Sequence, residues 1–176
     1  MKQEGEHSGE QPHDLRNMEV IDRILFSGTP AERKALQEFH NISEEDLERL
    51  MYFTALRHEA HEQVDREVKD RTQKQPTASE EELNLGSYVE GLEPHIREAV
   101  MTLRKKGYPT YESGFYAASE VQTVGLSEPL LEGFALPDDL QNDPRILTWN
   151  VTPDHISFQP TMGLPMDELK KIWNAV

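Results

Sequence analysis

The chain has 176 residues, enough for one ordinary domain or for a small domain with a sizeable appendage. Its 18 basic and 33 acidic residues give a formal net charge of −15, which argues against direct binding to bare nucleic acid or to an anionic membrane. Cysteine is absent from the sequence, which excludes disulfides, thiolate nucleophiles and cysteine-ligated zinc, and suits a reducing cytosol.

Residues 1–11 are polar, contain glycine and show no periodicity, so we expect a disordered leader. They lack the apolar run of a signal peptide, and no stretch of the chain approaches the length needed to span a bilayer. These features predict a soluble, cytoplasmic protein.

Residues 12–72 are predicted to form a helical arm of three helices. The first follows Pro12, where apolar residues recur at steps of three and four. The second begins at Thr29, a capping residue followed by proline, and ends at Asn41. The third begins after Ser43, whose hydroxyl can cap the helix while the following acids meet the positive end of the helix dipole.

This third helix changes character along its length. Residues 47–56 are apolar enough to dock on other elements, whereas residues 57–71 keep a helical pattern with few apolar side chains. An unbroken helix to Thr72 would measure roughly 45 Å, longer than a small helical cap can cover. Its far half should therefore project, pair with a second copy, or lie across the rest of the chain.

Residues 73–86 contain Pro76 and a run of three glutamates, and they are predicted to be a linker, with a short strand at residues 85–89. Residues 87–176 should form an α+β domain. A helix is expected from Pro94 to Gly107, where proline suits the first helical position and glycine the stop. A closing helix follows Pro165.

Four strands are predicted between these helices, as one hairpin over residues 108–126 and a second over residues 145–159. Leu147, Trp149 and Val151 alternate and should share one face of their strand. The order of elements predicts a two-layer α+β sandwich, with two helices on a four-stranded antiparallel sheet. A ferredoxin-like arrangement is one way to pair the strands, and spacing leaves their order open.

Four potential metal ligands share one face of the long helix. His58, His61, Glu62 and Asp65 fall at relative positions 0, 3, 4 and 7, and imidazoles with carboxylates suit zinc or iron. The spacing matches neither the His-Glu-x-x-His motif nor the di-iron Glu-x-x-His motif. The sequence favours instead that the two histidines are semi-polar members of a packing seam, because the valines at positions 64 and 68 lie three and seven residues beyond His61.

Residues 108–116 hold four of the thirteen aromatic residues, and Tyr111 and Phe115 are candidate partner-binding residues together with His61, Val64 and Val68. Gly114 suggests a bulge or a close approach by another backbone or a ligand. Ser113 lacks the Gly-x-Ser-x-Gly elbow of hydrolases, and no phosphate-binding glycine loop occurs. We therefore predict no catalytic residue and no cofactor.

Three functions remain open at this stage. The favoured one is a non-enzymatic interaction or regulatory module that binds a protein partner or a second copy of itself through the long helix. One alternative is a metal-binding protein or small metal-dependent enzyme that uses the histidine face. The other is an acidic decoy that occupies a nucleic-acid-binding protein by presenting carboxylates in place of phosphates, which the interspersed basic residues weaken.

Overall fold

The computed structural model describes residues 14–74, 92–116 and 119–176, with side chains described to residue 67 in the first range. The predicted leader, most of the predicted linker and the short strand predicted at residues 85–89 lie outside the described residues.

Three helices form the N-terminal arm, α1 (Met18–Ser27), α2 (Pro30–His40) and α3 (Glu44–Lys74). The Asn17 side chain caps α1, so this helix begins later than the periodicity after Pro12 predicts. Thr29 caps α2 in a reciprocal capping box, and the Ser43 hydroxyl accepts a hydrogen bond from the backbone N–H of Asp46 at 3.0 Å. The capping residues read from the sequence thus start α2 and α3 as predicted.

The described residues after position 91 form three further helices and four strands. In chain order they are α4 (Arg97–Lys105), β1 (Thr110–Phe115), β2 (Gln122–Leu126), α5 (Asp138–Gln141), β3 (Ile146–Val151), β4 (His155–Pro160) and α6 (Met166–Asn174).

The strands pair in the order β1-β2-β4-β3, and every pairing is antiparallel. Two hairpins therefore lie side by side, joined through β2 and β4, which differs from a ferredoxin-like sheet with its parallel central strands. Helices before and after an antiparallel sheet confirm the predicted α+β fold. β1 and β3 are the two edges of the four-stranded sheet.

The main core lies between one face of the sheet and helices α4 and α6. On the sheet, Val124 lies opposite Ile156 and Gln122 lies opposite Phe158. The two helices contribute apolar side chains that include the fully buried Trp173, whose ring centroid is 5.1 Å from that of Phe158. A smaller core of Ile24, Leu25, Leu36 and Leu47 holds the arm together.

Helix α3 joins the two cores. Leu47 belongs to the small core, whereas Phe53 is fully buried in the main one. Further along, Glu67 forms a salt bridge with Arg97 of α4. Three arrangements are predicted for the far half of this helix. The described part adopts the third, in which the helix lies across its own α+β domain. Among the described residues, no helix combines the length and apolar character that crossing a bilayer requires.

Candidate functional site

The two edges of the sheet differ in how their outward backbone groups are occupied. At the β1 edge, the Tyr116 N–H donates inward to Val121, so in an alternating strand the Phe115 N–H points outward. That N–H donates to the Glu93 carboxylate at 2.9 Å. The Thr110 carbonyl accepts a hydrogen bond from the Arg104 guanidinium at 2.6 Å. Side chains of the same chain thus bond two outward backbone groups of the β1 edge, the Phe115 N–H and the Thr110 carbonyl.

The Glu93 carboxylate lies at this edge, bonded by His61 and next to Gly114, which has no side chain. Its second oxygen lies 2.9 Å from Nε2 of His61 on α3, and the glutamate is almost fully buried. Gly114 adopts a φ of +120°, and a Cβ at this position would overlap the carboxylate. The sequence suggested a close approach at Gly114, and the group that approaches is the chain's own Glu93.

Two histidines near Glu93 have pKa values shifted in opposite directions, because burial outweighs the effect of Glu93 at His95. The hydrogen bond that the His61 ring donates to the Glu93 carboxylate is the chief cause that raises the pKa of His61 above its ordinary value. Burial is the chief cause that lowers the pKa of His95, which has no exposed side-chain surface. The His95 Nε2 lies 2.7 Å from the Gln122 amide oxygen. The neutral form of His95 therefore makes this contact inside the core of the domain.

The predicted metal ligands do not converge on one point. The Nε2 of His58 lies 2.7 Å from Asp22 of α1, and its ring stacks on Phe26 with centroids 3.9 Å apart. His61 turns instead to Glu93. Glu62 and Asp65 are exposed, and no group of three potential ligands gathers among the described residues. Metal binding stays a prediction, since each histidine has a carboxylate partner from another part of the chain.

The predicted partner-binding residues lie in different environments. Tyr111 is 60% exposed and its ring lies over Gly125, whereas Phe115 packs against the main core beside Phe53 and His95. Val64 is half-buried on α3. The side chain of Val68 lies outside the described residues.

On the opposite edge, β3, most outward backbone groups have no hydrogen-bond partner among the described residues. The Thr152 N–H donates to the His155 carbonyl, which sets the alternation of the strand. Asn150 therefore faces β4, while the N–H and C=O groups of Trp149 and Val151 point away from the sheet. Within the described residues, their only side-chain partner is the Thr148 hydroxyl, at 3.4 Å from the Trp149 carbonyl.

Beside this edge lies a groove of about 440 Å³ between β3 and the connection from β2. Leu147 is 53% exposed and Val151 is 41% exposed, although the alternation of the strand predicts that both share the face of Trp149. The register shifts between Ile146 and Thr148, which places Leu147 at an irregularity. The groove is lined by Phe134, Ala135, Leu136, Gln141, Ile146, Leu147, Thr148, Trp149 and Val151.

The far wall of the groove is anchored by hydrogen bonds. The Trp149 indole N–H donates to the Leu140 carbonyl of α5 at 3.0 Å, and the Gln141 side chain donates to the Leu136 carbonyl at 2.7 Å. The Leu130 N–H donates to the carbonyl of Pro153, in the turn between β3 and β4, at 2.7 Å. The groove is therefore formed before anything binds to it.

The nine residues that line the groove include no acid, base or other titratable side chain. Its surface offers apolar side chains, two uncharged polar side chains and the backbone of an edge strand, which suits binding rather than acid–base chemistry. Sequence reasoning missed this site because Leu147 and Val151 resemble core residues. The one local signal was proline on both sides of the strand, at positions 144 and 153.

Comparison of the chain with protein-family models, with curated proteins and with solved structures finds no match in any of the three.

Proposed function

We propose that this protein is a non-enzymatic protein-interaction module, and that its docking surface is the β3 edge with the adjoining groove. The occupant is an extended segment of a protein partner, added to the sheet as a fifth strand. One observation supports the proposal: the outward backbone groups of β3 and the exposed side chains of Leu147 and Val151 lie together beside the groove.

Strand addition fits the geometry of both components. The outward N–H and C=O groups of Trp149 and Val151 can bond the backbone of an incoming strand, whatever its sequence. Alternate side chains of that strand then fall on the groove side, where they meet Phe134, Leu136 and Leu147. Backbone bonds supply affinity in this mode, and the groove supplies selectivity.

A partner protein suits this edge better than a second copy of the chain. Two copies joined through β3 about a twofold axis would bring identical surfaces together. The connection that walls the groove, residues 127–144, contains five acids and no base, so the two walls would repel each other.

The long helix has a different part in this proposal. From Phe53 to Glu67 it packs on and bonds the α+β domain, so that side of the helix is already covered. We propose that α3 braces the sheet from its own side and that docking takes place at β3. Docking or self-association through the exposed side of α3 stays an untested prediction.

A selection from random peptides tests the docking site. Peptides of about ten residues are long enough to span β3 at ~3.3 Å per residue. They would be selected on the wild-type protein in the presence of excess unlabelled Leu147→Lys protein. The Met162→Lys variant is the matched control, because Met162 is a similarly exposed apolar residue, at 49%, outside the groove lining.

We expect the selected peptides to bind the wild-type and Met162→Lys proteins alike, to lose at least tenfold in affinity for Leu147→Lys, and to shift the amide resonances of β3. Recovery of no peptide, equal binding to both variants, or amide shifts confined to other elements would each overturn the proposal. A dimer in light scattering that Leu147→Lys dissociates would assign the edge to self-association instead.

A further inference from the structure

The connection between β2 and β3 has a one-sided charge. Residues 127–144 contain Glu128, Glu132, Asp138, Asp139 and Asp143, and no lysine, arginine or histidine. The first four are exposed, and none of the four forms a salt bridge with a described residue. Glu132 lies two residues before Phe134, and the aspartates at 138 and 139 lie between Leu136 and Gln141, so acids alternate with groove-lining residues.

The nearest cation along the chain does not offset this charge. Arg145 forms salt bridges with Asp143 and with Glu168 of α6. The Asp143 carboxylate, with Glu168, holds the pKa of Arg145 above its ordinary value, so the guanidinium is charged but fully engaged. Glu132, Asp138 and Asp139 each lie within two residues of a groove-lining residue, and we call the four exposed carboxylates of this connection the rim of the groove.

We infer that the segment bound at β3 is basic, with lysine or arginine residues interspersed among apolar ones. This inference rests on the proposed function and names the chemistry of the partner. The long stems of lysine and arginine can lie along the apolar groove while their charges reach the carboxylates at its rim. Charge complementarity of this kind chiefly sets selectivity and the rate of association.

The chain's own residues 75–91 are a poor occupant of the groove because of their charge. They contain four glutamates and no basic residue, so they would bring like charge to an acidic rim. A synthetic peptide of this sequence serves as an internal probe in the experiment below.

Three synthetic peptides of one length would be titrated into the full-length protein by calorimetry at low and at high salt. They share alternating valine and leucine residues and carry lysine, glutamate or serine at the remaining positions. We expect the lysine peptide to bind at least tenfold more tightly than the glutamate peptide at low salt. The ratio should fall as salt screens the rim.

The rim is tested by Glu128→Gln, Glu132→Gln, Asp138→Asn and Asp139→Asn combined in one protein. A matched control removes the same four charges from α2 and α3, by Glu38→Gln, Glu45→Gln, Glu48→Gln and Glu62→Gln. We expect the rim variant to lose most of the preference for lysine and the control to keep it, because rim charges act locally within a Debye length of ~10 Å at 0.1 M salt.

The outcomes separate the two proposals. Binding of all three peptides with equal affinity, or equal loss of the lysine preference in both variants, would overturn the basic partner while leaving docking at β3 in place. Binding of the residue 75–91 peptide as tightly as the lysine peptide would assign the groove to the chain itself. Binding by no peptide would overturn both proposals.

Discussion

The two edges of the sheet differ in how their outward backbone groups are hydrogen-bonded. An edge strand presents unpaired N–H and C=O groups that attract other strands, and proteins usually block such edges. On β1, the Phe115 N–H is bonded by Glu93 and the Thr110 carbonyl by Arg104. On β3, the outward groups of Trp149 and Val151 have, within the part of the chain that the structure describes, only a long contact from Thr148, and apolar side chains lie exposed beside them.

The two edges belong to one sheet, so the difference lies in the side chains that reach each edge strand. The carboxylate that bonds the β1 edge is buried. Burial of a charge destabilises the folded state unless its oxygens are hydrogen-bonded. Among the described residues, the unbonded outward groups of β3 beside the groove are the basis of the docking that we propose there. The following substitutions test each side of the comparison.

The largest effect is expected at the closed edge, from Gly114→Ala. The methyl group would overlap the Glu93 carboxylate, and the φ of +120° is itself strained for alanine. Backbone strain and the displaced charged hydrogen bond together should cost about 3 kcal/mol of unfolding free energy, measured in urea. Gly133→Ala is the control, because it has a φ of +91° with nothing within 4 Å of its Cβ, and it should show the strain alone. Equal losses in the two variants would contradict the role assigned to Glu93.

A pair of proline substitutions separates the inward from the outward positions of β3. The Asn150 N–H faces β4 and lies opposite Ser157, whereas the Val151 N–H points away from the sheet. Asn150→Pro should therefore destabilise the protein by about 2 kcal/mol more than Val151→Pro, since only the former removes a bond between strands. Urea denaturation of both variants gives the comparison. Similar losses would show that the Val151 N–H is engaged.

Much of this fold can be read from the sequence because the signals are local. Thr29, Ser43 and Gly107 mark helix ends through groups within a few residues, and the two hairpins follow from alternation and short turns. The pairing of β2 with β4 could not be read, because the two strands are separated by the connection and by β3.

The candidate site could not be read for related reasons. Glu93 closes an edge strand that begins seventeen residues later in the chain, at Thr110, and an isolated glutamate after a linker carries no signal of this role. Leu147 has the alternation of a core residue, yet its side chain is 53% exposed, beside a register shift on an edge strand. The histidines of α3 showed a common face, but their partners Asp22 and Glu93 come from segments 36 and 32 residues away.

A smaller effect is expected from Glu93→Gln, which preserves shape and removes charge. Loss of the charged bonds to Phe115 and His61 should cost about 1–2 kcal/mol, with the His61 part reduced by solvent screening because that side chain is 58% exposed. NMR titration should show the raised pKa of His61 falling toward its ordinary value. An unchanged His61 titration would sink the assignment of Glu93 as its cause.

The two histidines near Glu93 contribute to the pH dependence of stability with opposite signs. The folded pKa of His61 is raised, so its contribution is present below about 6.5 and is lost as the pH rises through the folded pKa. The folded pKa of His95 is lowered by burial, so stability falls as the pH drops below about 6.5. The stability difference between wild type and Glu93→Gln should therefore be larger at about pH 6 than at about pH 8. A difference independent of pH would contradict it.

The smallest effect on stability is expected at the open edge, from Leu147→Lys. Its side chain is more than half exposed at a register irregularity, so the substitution should change the unfolding free energy by less than about 0.5 kcal/mol in urea. By contrast, Trp149→Ala should cost about 3 kcal/mol, because that ring packs on Phe158 and bonds Leu140. A large loss from Leu147→Lys would mean that Leu147 supports the fold. A stable Leu147→Lys protein that no longer binds extended peptides would show that its apolar surface is kept for a partner, because the folded chain does not need it.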